Sequence, residues 1–143
     1  MSYFTEQERK EIKECIEQIE AQTTGEICIC VEQYCDQDPI TRAQEYFVKL
    51  EMTKAKRRNG VLIYLALSDN VFAIIGDEGI HNIVGEMFWD DAKTTMKENF
   101  KHGEIVKGVI LGIRKVGDVL IQHFPKTDDD QNELKDDIIF GDK

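Results

Sequence analysis

The stretch from Val61 to Ile75 constrains the fold more than any other part of the chain. Val61-Leu-Ile-Tyr-Leu-Ala-Leu67 is followed by Ser68-Asp69-Asn70, and Val71-Phe-Ala-Ile-Ile75 returns at once. Branched and aromatic side chains suit a pleated, buried surface, whereas Ser, Asp and Asn favour turns. Three residues are too few for the crossover that a parallel pair requires, so the two runs predict an antiparallel hairpin. A separate run, Glu26-Ile-Cys-Ile-Cys-Val-Glu32, is apolar on both faces when extended, which predicts a central strand.

Helical periods fill the intervals and make the class α/β. Thr5 and Glu8 have capping-box spacing before a stripe of Ile12, Cys15, Ile16 and Ile19, predicting a helix over about 5–21. Asp38-Pro39 supplies a capping acid and a proline at the first helical position, and Ala43, Tyr46, Phe47 and Leu50 continue that helix to about 53. Ile83, Val84, Met87, Phe88, Trp89, Met96 and Phe100 predict one or two helices within 80–100. Ile105, Val109, Ile113, Val116 and Leu120 predict a last helix over about 104–124, with Gly108 and Gly112 allowing a neighbour's close approach.

A length of 143 residues suits one domain, and no linker-like stretch interrupts the chain before Pro125. The expected division is a folded body over 1–125 and an acidic, mobile tail over 126–143, with an apolar island at Ile138-Ile-Phe140.

A net charge of −10 excludes nucleic acid as a partner, because phosphate binding needs clustered Lys and Arg. It suits cations or basic protein surfaces, with simple solubility as the alternative. No apolar run approaches the about 20 residues needed to span a bilayer, and the first ten residues lack a signal peptide's apolar stretch. The expectation is a cytoplasmic monomer with no membrane span. Cys28 and Cys30 read as small buried hydrophobes, since His81, His102 and His123 lack zinc-ligand spacing and strand neighbours two apart are badly placed to bridge.

Thr24-Gly25-Glu26-Ile27, Asn59-Gly60-Val61-Leu62, Ala73-Ile-Ile-Gly-Asp-Glu-Gly79 and Phe88-Trp89-Asp90, in that order, resemble the TPM domain family over about residues 20–124. That family takes its name from a thylakoid-lumen phosphatase, a photosystem repair protein and a receptor-modulating membrane protein. The resemblance implies a small mixed sheet containing a β-hairpin, flanked by helices on both faces, in a single three-layer domain. It also implies a relationship to members described as acid phosphatases or as calcium-binding. The chain departs from the commoner pattern in showing no leader and no membrane anchor.

With the first two strands parallel and the third returning antiparallel, Glu26, Asn59, Asp77 and Glu78 fall at one sheet edge. Asp90 and Asp91, at a helix start, can approach it. Such an all-oxygen environment suits calcium, or magnesium, so Glu26, Asp77, Glu78, Asp90 and Asp91 are the candidate metal ligands. The alternative roles are turn-shaping for Asp77 and helix capping for Asp90 and Asp91.

The leading expectation is a divalent-cation-binding module that acts mainly as an accessory to a protein partner, with the apolar tail island available to dock on that partner. The alternative is a metal-assisted acid phosphatase acting on phosphomonoesters, in which Arg57 or Arg58 clamps the phosphoryl oxygens. The competing role for Lys54 to Arg58 is favourable charge after a helix C-terminus. No complete catalytic motif is present, so catalytic residues stay unassigned. Asp128-Asp-Asp130-Gln-Asn132 fails as an EF-hand loop, having Glu133 where glycine is required and Ile139 where a glutamate should close the site. Ser68 and Cys35 lack an evident base.

Overall fold

Thr5 Oγ1 accepts a hydrogen bond from the Glu8 N–H at 3.1 Å while the Glu8 carboxylate accepts from the Thr5 N–H at 2.8 Å. This capping box starts α1 (Glu6–Glu20) in the computed structural model, which describes residues 4–85, 89–126 and 138–141. Then follow β1 (Glu26–Glu32), α2 (Pro39–Lys49), β2 (Gly60–Ala66), β3 (Val71–Gly76), α3 (Glu78–Val84), α4 (Asp90–Lys101), α5 (Ile105–His123) and β4 (Ile138–Phe140). Asp38 caps α2 by accepting from the N–H groups of Ile40 and Thr41, each at 3.1 Å. That helix stops at Lys49, short of the expected 53. Glu51 adopts a left-handed φ of 56°, and Met52–Lys54 form a separate 3₁₀ turn.

The strand order is β3-β2-β1-β4. β1 runs parallel to β2 with Glu26 opposite Gly60 and Glu32 opposite Ala66, and β2 pairs antiparallel with β3 as the short loop predicts. β1 is accordingly internal. Its other neighbour is β4, parallel to it with Ile29 opposite Ile138 and Val31 opposite Phe140. The island expected to serve a partner therefore pairs with the chain's own sheet. Its alternation explains the fit, since Ile138 and Phe140 join one apolar layer and Ile139 the other. Met87, Phe88 and the EF-hand-like stretch from Asp128 to residue 137 lie outside the described residues.

Helices cover both faces. Ile27, Ile29, Val31, Val61, Ile63 and Leu65 pack with residues of α1, α3, α4 and α5, among them Ile12, Ile16, Ile80, Met96, Ile113 and Leu120. Cys28, Cys30, Leu62 and Tyr64 pack under Tyr46 and Phe47 of α2 and under Met52. Each fully buried aliphatic side chain here contributes about 1.5–3 kcal/mol. Gly112 lets α5 lie directly on α4, because a Cβ there would stand 2.5 Å from Met96 Sδ. All four cysteines are free thiols, and Cys15, Cys28 and Cys30 are buried. Among the described residues, no helix is long and apolar enough to cross a membrane.

Candidate functional site

At the β3 end, Asp77 follows the strand and caps α3, its Oδ1 accepting from the Glu78 N–H at 2.8 Å. The side chain is only 6% exposed and is held by Arg58. Arg58 Nε donates to Oδ2 at 2.7 Å and Nη2 to Oδ1 at 2.8 Å, a bidentate pair, and Nη1 reaches Glu78 Oε1 at 3.2 Å. Arg58 itself is left-handed, with φ of 51°. Its carbonyl accepts from the Gly79 N–H at 2.8 Å, and a Cβ at Gly79 would collide with the carbonyl oxygens of Arg57 and Arg58. The loops before β2 and after β3 are thereby clasped. Hydrogen bonding to Asp77 holds the Arg58 guanidinium above its ordinary pKa.

The five candidate ligands are not gathered into one shell. Asp77 and Glu78 meet through Arg58, and Asp77 and Asp90 line the same groove. Glu26 is buried at the start of β1, on the strand face it shares with Cys28 and Cys30 under the α2 layer. Asp91 is 73% exposed and turns toward α5, where Lys115 Nζ lies 2.8 Å from its Oδ2. Asn59 binds the start of β1, its carbonyl accepting from the Glu26 N–H at 3.4 Å and its Nδ2 donating to Thr24 Oγ1 at 2.9 Å. Among the described residues, no group of three or more His, Cys, Asp or Glu is placed to hold a metal ion. With both oxygens of Asp77 engaged by Arg58, a calcium ion reaches them only by displacing that guanidinium. Arg58, expected as a phosphate clamp, is itself clamped.

What the corner does offer is a groove of about 670 Å³. Its floor is the outer edge of β3, along which no described strand pairs. One wall is α2, through Ile40, Gln44, Phe47 and Val48; the other is His81 of α3 with Trp89, Asp90 and Lys93. Ile40 and Val48 are among the large apolar side chains left exposed, Val48 at 73%. An edge strand between two helical walls, with unpaired backbone groups and apolar shoulders, can accept an additional extended strand.

A second cluster, at the far end of β1, has no counterpart among the expected sites. Glu32 is 1% exposed and accepts four hydrogen bonds. They come from Arg42 Nε at 3.0 Å, Arg42 Nη2 at 2.5 Å, Tyr46 Oη at 2.7 Å and Tyr64 Oη at 2.6 Å. Burial alone would raise its pKa, but the bonds from Arg42, Tyr64 and Tyr46 outweigh it and hold the carboxyl at about 2. Burial, reinforced by hydrogen bonding to Glu32, raises both tyrosines. No member therefore exchanges protons near neutral pH. The available signal was Arg42, Glu45 and Tyr46 at helical spacing, opposite a strand ending in Glu. At the same end, the Cys35 N–H donates to Asp69 Oδ2 at 2.7 Å and the Cys35 thiol to the Gln37 carbonyl at 3.1 Å. Ser68 bonds with Gln33, and none of these contacts supplies a catalytic base.

The family model of the TPM domain matches residues 1–119. The BA42 protein from the psychrophilic bacterium Bizionia argentinensis is 38% identical, with a TM-score of 0.92 over 98% of this chain and 97% of that one. The N-terminal domain of the cg2496 protein from Corynebacterium glutamicum shares the fold, with a TM-score of 0.69 at 14% identity over 90% of this chain and 80% of that one. None of the curated proteins matches.

Proposed function

This chain belongs to the TPM domain family, and we propose that it works as a binding or accessory module that takes an extended, positively charged segment of a protein partner along the free edge of β3. The observation that carries this reading is the groove itself, an edge strand that no described strand pairs, between two helical walls with Ile40 and Val48 exposed on its rim. Asp90 and the net charge of −10 favour a cationic occupant. Backbone pairing supplies affinity in such complexes, and the flanking side chains select the sequence.

The test is a titration with a short extended peptide that alternates Lys and Val, read by backbone amide shifts. Shifts confined to Val71–Gly76 and the facing side of α2, and abolished in Asp90→Lys, are the expected result. Shifts elsewhere, or none at millimolar peptide, discard the reading.

Calcium is the second reading, favoured by Asp77 and Asp90 lining one groove with the side-chain oxygens of Gln44 and Thr53. A divalent cation and Arg58 compete for the same Asp77 oxygens, so calcium should raise the Tm of Arg58→Ala more than that of the parent chain. Absence of heat and of any Tm change in both proteins removes it. The phosphomonoesterase alternative draws on Arg57, or on Arg58 released from Asp77, and no observation favours it.

A further inference from the structure

The end of the sheet at which β2 finishes holds a second cavity, of about 610 Å³, which shares no lining residue with the β3 groove. Its floor is apolar. Leu65 of β2 is buried, and Leu67, Phe72, Phe100 and Ile105 are partly buried. Phe72 of β3 and Phe100 of α4 meet edge to face, with centroids 5.2 Å apart and planes at 89°. Gly108 lets the Phe100 ring lie against α5, because a Cβ there would stand 2.6 Å from its Cε1. The ring is thereby fixed between α5 and β3, and the floor is formed before any ligand arrives.

The rim is polar and exposed, and it consists of Asn70, Lys97 and Lys101. The two lysines lie one turn apart on α4, on the face that carries Phe100. Like charges at that spacing destabilise a helix unless something of opposite sign lies between them. Among the described residues neither lysine has an acidic partner, whereas Lys54, Lys107 and Lys115 each have one. No described acidic residue lines the cavity. Asp38, Asp69 and Glu104, each next in sequence to a lining residue, are committed elsewhere: Asp38 caps α2, Asp69 accepts from the Cys35 N–H at 2.7 Å, and Glu104 pairs with Lys107 at 3.4 Å. In a chain of net charge −10, the result is a local concentration of positive charge beside an apolar floor.

We propose that this cavity binds a small aliphatic monocarboxylate, with its hydrocarbon body on the Leu65, Phe72, Phe100 and Ile105 floor and its carboxylate between Lys97 and Lys101. The volume lies in the range of about 300–1,000 Å³ in which proteins bury small ligands. Two ammonium groups and the Asn70 amide supply the donors that two carboxylate oxygens accept. The lining holds no arginine fork of the kind that grips a phosphate dianion, and the negative field of the whole chain disfavours a multiply charged guest, so a monoanion is selected. Branched aliphatic side chains make up most of the floor, which matches an alkyl body. The site does not depend on the β3 groove, and either can fail alone.

The experiment is a calorimetric and amide-shift titration of the full chain with octanoate at neutral pH, with acetate and octanol as controls. Octanoate should bind at submillimolar concentration and shift the amides of Leu67, Asn70, Phe72 and Lys101, while those of Ile75 and Gly76 in the β3 groove stay in place. Acetate and octanol should each bind at least tenfold more weakly. Lys97→Gln combined with Lys101→Gln, at exposed positions where losing the repulsion keeps the chain folded by circular dichroism, should weaken octanoate at least tenfold and leave octanol unchanged. Neither heat nor shifts at millimolar octanoate overturns the proposal. So does acetate acting as well as octanoate, which marks a plain anion site, or octanol acting as well, which marks an apolar patch alone. A folded double variant that binds octanoate as the parent does overturns it too.

Discussion

The two sides of this sheet each keep a buried carboxylate gripped by an arginine, and they manage it differently. On the β1 side, Glu32 is held by Arg42 and two tyrosine hydroxyls, and a strand from further along the chain pairs with β1 beside the cluster. At the β3 edge, Asp77 is held by Arg58 and a single backbone N–H, and a groove lies open beside it. The same ion-pair chemistry thus serves two purposes. Glu32 builds a rigid wall against which a strand is seated, whereas Asp77 clasps two loops so that an edge strand is left presented.

The sharpest way to break the comparison is Glu32→Ala. It leaves two phenolic hydroxyls without their acceptor and Arg42 paired with Glu45 alone, and chemical denaturation should show a loss of about 2–4 kcal/mol. Acid should tell the same story. The folded pKa of about 2 lies below the unfolded carboxylate value, so the stabilisation is fully present above about pH 4.3 and disappears as pH falls toward 2. Its size is about 3 kcal/mol, and Glu32→Gln should flatten the acid limb of a stability–pH curve over that window. Asp77→Ala should cost less, about 1–2 kcal/mol by denaturant titration, because it removes an α3 cap and a partly exposed ion pair. Lys115→Ala, which breaks the exposed pair with Asp91 away from both edges, should leave the Tm within the error of calorimetry. If Asp77→Ala proved as damaging as Glu32→Ala, the contrast between the edges would fail.

Much of this architecture was written locally. The hairpin follows from three turn residues between apolar runs, the capping box from Thr5 and Glu8, and the internal position of β1 from apolar side chains on both its faces. Placement at the sheet end also followed for Asp77 and Glu78, because strand direction alone decides it. Side-chain commitment did not. Asp77 looked available for a cation until Arg58, in a left-handed conformation that propensity disfavours, took both its oxygens. Asp90 and Asp91 are adjacent in sequence, but neighbouring helical positions point about 100° apart, and one faces the groove while the other faces Lys115. The Glu32 cluster draws on four positions from three elements, and each has an ordinary local explanation as strand end, helix surface or core aromatic. Ile138-Ile-Phe140 is legible as an apolar island, but nothing near it in the chain names its partner strand.

The pairing of Ile29 with Ile138 also has a consequence for how the chain acquires its shape. β1 is synthesised well before its closing partner, because α2, β2, β3, α3, α4 and α5 lie between them in the sequence. Throughout that interval the Val31 carbonyl and its neighbours face solvent along an unprotected strand, while the α2 wall can already stand beside them. Contacts so distant in sequence form late, since the long intervening loop must be ordered first. A nascent chain stalled before Ile138 would therefore display a bare strand edge beside a formed helix, a state that a chaperone can recognise.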